Sequence, residues 1–194
     1  MDEPTQVKGH KMSRKKKIGF TCVILVIGLV VSTGIILALA NRDTTSPLET
    51  RNPSGTTGYM LIVYRPGISS FPADVMNKFA EGAISTGWKL DISTVSEISP
   101  KDISKYDLIV ILSPVYMGAP QAEIATYLSS VDLLQKPVVS ILACGSNTGL
   151  PAMNKLVAQI SAANGTNLVQ AAFNINGNRD QVLVEANQLV QIKR

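Results

Sequence analysis

The sequence predicts an α/β domain, a parallel sheet covered by helices on both faces, carried behind a single membrane-crossing helix. Three observations lead there. Residues 18–40 (IGFTCVILVIGLVVSTGIILALA) are apolar and uncharged. Residues 41–58 (NRDTTSPLETRNPSGTTG) lose all apolar periodicity. Beyond Gly58, short apolar runs alternate with longer amphipathic ones, the pattern of strands joined by crossover helices.

Composition agrees with that division. Only 16% of the 194 residues are charged, against about 25% in an average globular chain, and an apolar excess of this kind points to a membrane segment. Fourteen glycines and ten prolines follow no collagen-like period, and no block repeats itself, so fibrous and solenoid architectures are excluded. Cys22 and Cys144 lie far apart and form neither a CxxC nor a Cys/His spacing, which leaves no disulfide framework and no structural zinc site. The net charge of +4 resides in residues 1–17, where six basic residues face two acidic ones. From Tyr59 to the end, ten basic residues balance ten acidic ones. A nucleic-acid groove needs clustered Lys and Arg, so nucleic acid is excluded as a partner.

Taken in order, the first element is a basic cytoplasmic tail, residues 1–17. The 23 residues of 18–40 then make about 35 Å of helix, enough for a hydrocarbon core of about 30 Å. A soluble core helix of that length interrupts its apolar face with charges. A cleaved signal peptide has an apolar run of about 7–15 residues, although Ala38-Leu39-Ala40 has the small-x-small form of a cleavage site and keeps that alternative open. Basic residues crowd the amino-terminal side, so the tail stays in the cytoplasm, the domain faces outward, and the bilayer is a partner. Gly28 with Ser32, and Gly34 with Ala38, are small residues at the spacing that lets membrane helices approach. Residues 41–58 read as a flexible linker.

The domain, 59–194, opens on a first strand at 59–64 (YMLIVY). A first helix follows at 72–86, where Pro72 suits a first turn and Val75, Met76, Phe79, Ala80 and Ala83 recur at helical spacing. Further strands are expected at 88–95, 107–112, 137–142 and 167–173, with helices at 119–131, 149–163 and 178–192. Between the second and third strands stands only SEISPKDISKY, so one crossover helix is abbreviated. Ligands of open parallel sheets bind beyond the carboxyl ends of the strands. Three loops leave such ends: RPGISSF (65–71), SPVYMGAP (113–120) and ACGSNTG (143–149).

At these loops the chain resembles the flavodoxin family over about 59–192. The stretch that carries the resemblance is YDLIVILSPVYMGAPQAEIATYLSSVDLLQKPVVSILACG, similar to flavodoxin-like proteins in which a strand runs into Ser-Pro-x-Tyr-x-Gly. The resemblance implies a doubly wound, five-stranded parallel sheet in the order 2-1-3-4-5, with FMN as cofactor. It places Ser113, Pro114, Val115, Tyr116, Met117 and Gly118 beside the flavin ring, Tyr116 stacking on it, and sets Ala143, Cys144, Gly145, Ser146 and Asn147 along the ring and ribityl chain. The FMN phosphate would sit at the start of the first helix, near Arg65, Gly67, Ser69 and Ser70, where unpaired N–H groups favour an anion. Family members usually carry a Thr/Ser-x-Thr-Gly-x-Thr-type run there; this chain has Arg65-Pro66-Gly67-Ile68-Ser69-Ser70-Phe71-Pro72, and Pro72 removes one N–H from the cradle.

Blander readings stand beside these. The Ser-Pro-Val-Tyr-Met-Gly run is also an ordinary strand-end turn, Ser69-Ser70 also a helix cap, Arg65 also a solvated loop charge, and Cys144 an inert residue at a strand end. Other chemistries fail on inventory. A phosphoacceptor receiver needs Asp where Arg65 and Ser113 stand, and no GxGxxG or GxxxxGK[ST] follows a strand. The only histidine, His10, lies on the far side of the membrane from the domain, which excludes Ser-His-Asp and Cys-His catalysis. The expectation is therefore a membrane-anchored, FMN-dependent oxidoreductase or electron carrier, working on a quinone or a membrane-bound redox partner. The alternative is a flavin-free module of the same fold.

Overall fold

The structure, a computed structural model, describes residues 14–40, 45–145 and 149–191. The chain divides into two units, Met1–Arg42 and Asp43–Arg194. The first contains helix α1, Arg14–Ala40, whose 27 residues begin four positions before the expected span. The basic tail up to residue 13 and residues 41–44 lie outside the described residues. Among the described residues no helix is long and apolar enough to cross a membrane. In α1 the continuous run of described side chains, 23–35, covers about 20 Å of axis.

The second unit is one sheet between two layers of helix. Its elements are β1 (Glu49–Arg51), β2 (Gly58–Tyr64), α2 (Phe71–Ser85), β3 (Trp88–Thr94), β4 (Leu108–Tyr116), β5 (Ala119–Pro120), α3 (Ala122–Ser129), β6 (Pro137–Cys144), α4 (Gly149–Ala162), β7 (Thr166–Asn174) and α5 (Arg179–Gln188), closed by a 3₁₀ turn at Leu189–Gln191. The sheet has seven strands in the order β1-β3-β2-β4-β6-β7, with β5 paired to β4. This corrects the expected five-stranded sheet: β1 adds an antiparallel strand outside β3, and β5 folds back on the end of β4. The pairs β2–β3, β2–β4, β4–β6 and β6–β7 are parallel.

Strand alternation builds the two core layers. Met60 and Ile62 of β2, with Leu108, Val110 and Leu112 of β4, meet Val75, Met76, Phe79 and Ala83 of α2. Leu61 and Val63, with Ile109 and Ile111, face Ile124 and Leu128 of α3 and Leu156 and Ile160 of α4. Since successive strand residues point to opposite faces, both faces of β2 and β4 must be apolar, and the continuous runs MLIV and LIVIL supply this.

Residues 45–58, expected to form a flexible linker, are built into the domain. Ser46 donates its N–H to Thr94 Oγ1 at 2.8 Å, Asn52 Nδ2 donates to the Trp88 carbonyl at 2.8 Å, and Glu49–Arg51 pair with Leu90–Ile92. Polar residues make this edge because main-chain pairing needs no apolar side chain when one face stays wet.

The abbreviated crossover shapes the other face at this end of the sheet. Residues 95–107 form turns and no helix, so nothing helical covers the face to which β3 turns Asp91. Side chains cover it instead. The Tyr59 and Tyr106 rings pack tilted at 60°, 4.8 Å between centroids, and Lys89 and Lys105 lie over the Tyr59 ring at 4.1 and 5.1 Å. Asp91, buried at the centre, accepts hydrogen bonds from Thr50 (2.6 Å), Tyr59 (2.6 Å), Tyr106 (2.7 Å) and Lys105 (3.1 Å).

Candidate functional site

The loops at the carboxyl ends of β2, β4 and β6 surround the point where strand order reverses, between β2 and β4, which is where an open sheet of this kind presents a crevice. Each was expected to bind. Their side chains behave differently.

The second loop is largely strand. β4 runs through Ser113, Pro114 and Val115, which are buried, and pairs with β6 as far as Val115 and Cys144. The buried Ser113 hydroxyl accepts the Gln121 N–H at 3.0 Å and donates to the Pro114 carbonyl at 2.9 Å, so both of its capacities are met inside the chain. Met117 and Gly118, at φ of 52° and 73°, make the tight turn from β4 into β5, as left-handed residues do in a two-residue hairpin. Met117 is 97% exposed. Of the six residues expected beside a ring, only Tyr116, Met117 and Gly118 reach the surface.

The Tyr116 side chain is tied to the first loop through its hydroxyl. Its phenol oxygen accepts the N–H of Ile68 in the first loop at 2.7 Å. Gly67 makes this contact possible: a Cβ there would lie 2.8 Å from the Tyr116 hydroxyl oxygen and 2.8 Å from Pro72 Cγ, closer than van der Waals contact allows.

In the first loop Arg65 is buried, with its guanidinium on Glu123 Oε1 of α3 at 2.9 Å. That rules out the solvated loop charge and pairs Arg65 with α3 inside the domain. Ser70 occupies the cap position of α2 but makes no side-chain cap bond. Its hydroxyl accepts from Arg179 Nη2 at 3.2 Å. Arg179, the first residue of α5, also forms an ion pair with Asp74 in the first turn of α2. Sequence reading missed both Asp74 and Arg179; their partnership spans more than a hundred positions, and neither sits in a motif. Ser69 is exposed.

In the third loop Ala143 and Cys144 are buried strand residues, and burial pushes the Cys144 thiol up from its ordinary value. Gly145 is exposed, and its carbonyl accepts from Asn176 Nδ2 at 2.5 Å. Ser146 and Asn147 lie outside the described residues. Beside this loop a cavity of about 500 Å³ is lined by Cys144, Leu150, Met153, Ala172 and Phe173 among others. A larger, more polar cleft of about 750 Å³ lies beside the crossover, between Glu97, Ile98 and Lys101 and the α3 residues Glu123 and Tyr127.

The carboxyl end of the sheet is notably apolar. Ile68 and Met117, in the loops after β2 and β4, and Leu150, in the first turn of α4 after β6, are 47%, 97% and 78% exposed, and Ile98 after β3 is 67% exposed. The open space around Gly118 and Gly145, where a Cβ would meet nothing within 4 Å, adds room for a flat group. FMN, the cofactor implied by the fold, meets a split answer here. The ring side fits, with apolar side chains and open glycines. The phosphate side does not: Ile68 N–H is engaged by Tyr116, Asp74 already supplies a negative charge at the start of α2, and Arg65 is committed to Glu123.

No family model matches the chain, and no curated protein matches it in sequence. Solved structures do. Oxidised Flavodoxin 1 from Bacillus cereus aligns at TM-score 0.56 and 12% identity, over 70% of this chain and 99% of that one. A flavodoxin, WrbA-like protein from Agrobacterium tumefaciens aligns at 0.54 and 14%, over 70% and 96%. The NAD(P)H:quinone oxidoreductase from Methanothermobacter marburgensis aligns at 0.56 and 13%, over 72% and 98%. The domain therefore has a flavodoxin-like fold, with two short strands added to its parallel sheet.

Proposed function

We propose that this protein is a membrane-anchored, flavin-binding electron-transfer module, with FMN as the first flavin to test. The observation that carries the reading is the exposed apolar side chains Ile68 and Met117, on the loops after β2 and β4, and Leu150, at the start of α4 after β6, at the carboxyl end of a flavodoxin-like sheet. An exposed apolar cluster marks a binding site, and a flat conjugated ring is the ligand class that flavodoxin-like proteins take at this end. When bound, a flavin supplies the redox chemistry; the chain supplies apolar walls and orientation. Quinones and membrane-bound proteins are the partners within reach of such a module.

Support for the anchor comes from residues 18–40, uncharged throughout, and from α1, where the large apolar side chains between Val23 and Ile35 are all more than half exposed. A helix apolar on every side needs an apolar solvent. The basic residues before it favour a cytoplasmic tail and an extracytoplasmic domain. The test is direct. The full chain, purified in mild detergent, is titrated into FMN while flavin emission and the visible spectrum are followed, and is separately mixed with phosphatidylcholine vesicles and floated. Quenched emission with a perturbed spectrum, and flotation lost on deletion of 18–40, are expected. Unchanged emission at saturating protein would sink the flavin reading.

A second reading is favoured by the engaged phosphate cradle. In it the domain keeps the fold without a flavin and uses the same apolar rim to dock another protein.

A further inference from the structure

We infer that this site recognises a flavin by its ring and is indifferent to the 5′-phosphate, so that riboflavin and FMN bind alike. The inference rests on the flavin reading above and adds what the site selects. Three groups that would receive a phosphate are held by the chain itself. The Ile68 N–H is engaged by Tyr116 Oη at 2.7 Å. The start of α2 has Pro72, which offers no N–H, and the carboxylate of Asp74. The nearest exposed cation, Arg179, is paired with Asp74 and bonded to Ser70 Oγ. Asp74 and Arg179 thus stand to each other as a phosphate and its arginine would, and an incoming phosphate must displace the carboxylate or face it.

A dianion brought to within a few ångströms of a carboxylate is repelled, and the favourable helix-terminus contribution is cancelled where an acidic side chain already occupies it. The ring side carries no such conflict. Ile68, Met117 and Leu150 are apolar, and no charged residue stands between Tyr116 and Pro120 or between Ala143 and Gly145. Recognition by the ring alone follows from this arrangement. Arg65, the one cation in the first loop, cannot compensate, because it is buried against Glu123.

The experiment compares riboflavin and FMN as titrants of the full chain in detergent, read by quenching of flavin emission, for wild type, Asp74→Asn and Tyr116→Phe. In wild type the two dissociation constants should agree within about threefold. Asp74→Asn, which keeps the side-chain size and removes the charge, should tighten FMN by about tenfold and leave riboflavin unchanged. Tyr116→Phe, which frees the Ile68 N–H, should shift the ratio in the same direction. Wild-type binding of FMN about a hundredfold tighter than riboflavin would overturn this inference while leaving the flavin reading intact. Failure of all three proteins to bind either flavin would overturn the flavin reading and this inference with it. Circular dichroism of each variant checks that the fold is retained, and a variant that has lost it is replaced by Asp74→Ser or Tyr116→Leu in the same comparison.

Discussion

Asp91 offers the sharpest quantitative test of how this version of the fold is held. Burial by itself raises its carboxyl, yet the hydrogen bonds from Thr50, Tyr59, Tyr106 and Lys105 outweigh burial and bring it from 3.8 down to about 2. At about 1.4 kcal/mol per pH unit, that difference contributes about 2 kcal/mol to stability. Because the folded value lies below the unfolded one, the contribution is fully present above the unfolded value. It is lost as the pH falls from there through about 2. Asp91→Asn removes the charge at every pH and turns an amide N–H₂ toward groups that themselves donate. The chain has a single tryptophan, Trp88 of β3, 7% exposed, so its emission follows unfolding of the domain in urea. The gap in stability between wild type and Asp91→Asn should be largest near about pH 7 and shrink by about 1.5 kcal/mol at about pH 2.5. A gap that stays constant across that range would refute the claim that four donors hold a carboxylate here.

Three further outcomes are expected. Gly82→Ala in α2 would drive a Cβ into the main-chain carbonyl of Asn187 in the last turn of α5; it should destabilise the domain by about 1–3 kcal/mol and speed amide exchange in α5, and unchanged exchange would argue against the close approach. Glu123→Ala removes the 2.9 Å ion pair to the buried Arg65 guanidinium and should cost about 2 kcal/mol in a denaturation experiment, discounted from the cost of a fully buried pair because Glu123 is partly exposed; a neutral result would show that this ion pair contributes nothing to stability. Cys144, 3% exposed and with its thiol pushed up by burial, should resist iodoacetamide in a Cys22→Ser background until denaturant is added, whereas fast native labelling would contradict its burial.

The parallel strands and the helices around them were legible because their signals are local. Runs such as LIVIL and a 3.6-residue period in α2 mark elements wherever the rest of the chain happens to lie. What escaped depends on partners distant in sequence. Ser113-Pro114 reads as turn punctuation, yet it continues β4 because it pairs in parallel with Leu142 and Ala143 of β6. Glu49-Thr50-Arg51 has no strand pattern and becomes β1 because the edge of β3 accepts it and Thr50 reaches Asp91. Arg65 looked exposed because Glu123 cannot be paired with it from sequence. The Ser-Pro-Val-Tyr-Met-Gly run falls at the carboxyl end of β4, but it could not reveal that the Tyr116 hydroxyl turns back onto the first loop.

These misses share a cause that bears on function. The polar groups at the carboxyl end latch the loops to each other: Tyr116 to Ile68, Arg65 to Glu123, Ser70 and Asp74 to Arg179, and Gly145 to Asn176. Each bond joins segments that leave different strands, so the loops are braced against one another. Donors already paired with acceptors inside the chain offer less to an anion, and the large side chains left facing outward include the apolar Ile68, Met117, Leu150 and Ile98. A braced rim with apolar tips favours a ligand or partner that buries hydrocarbon or a conjugated ring, because the rim loses little conformational freedom on binding. It penalises one whose affinity depends on a phosphate, because the donors must first be released from their present acceptors at a cost of about 1 kcal/mol each.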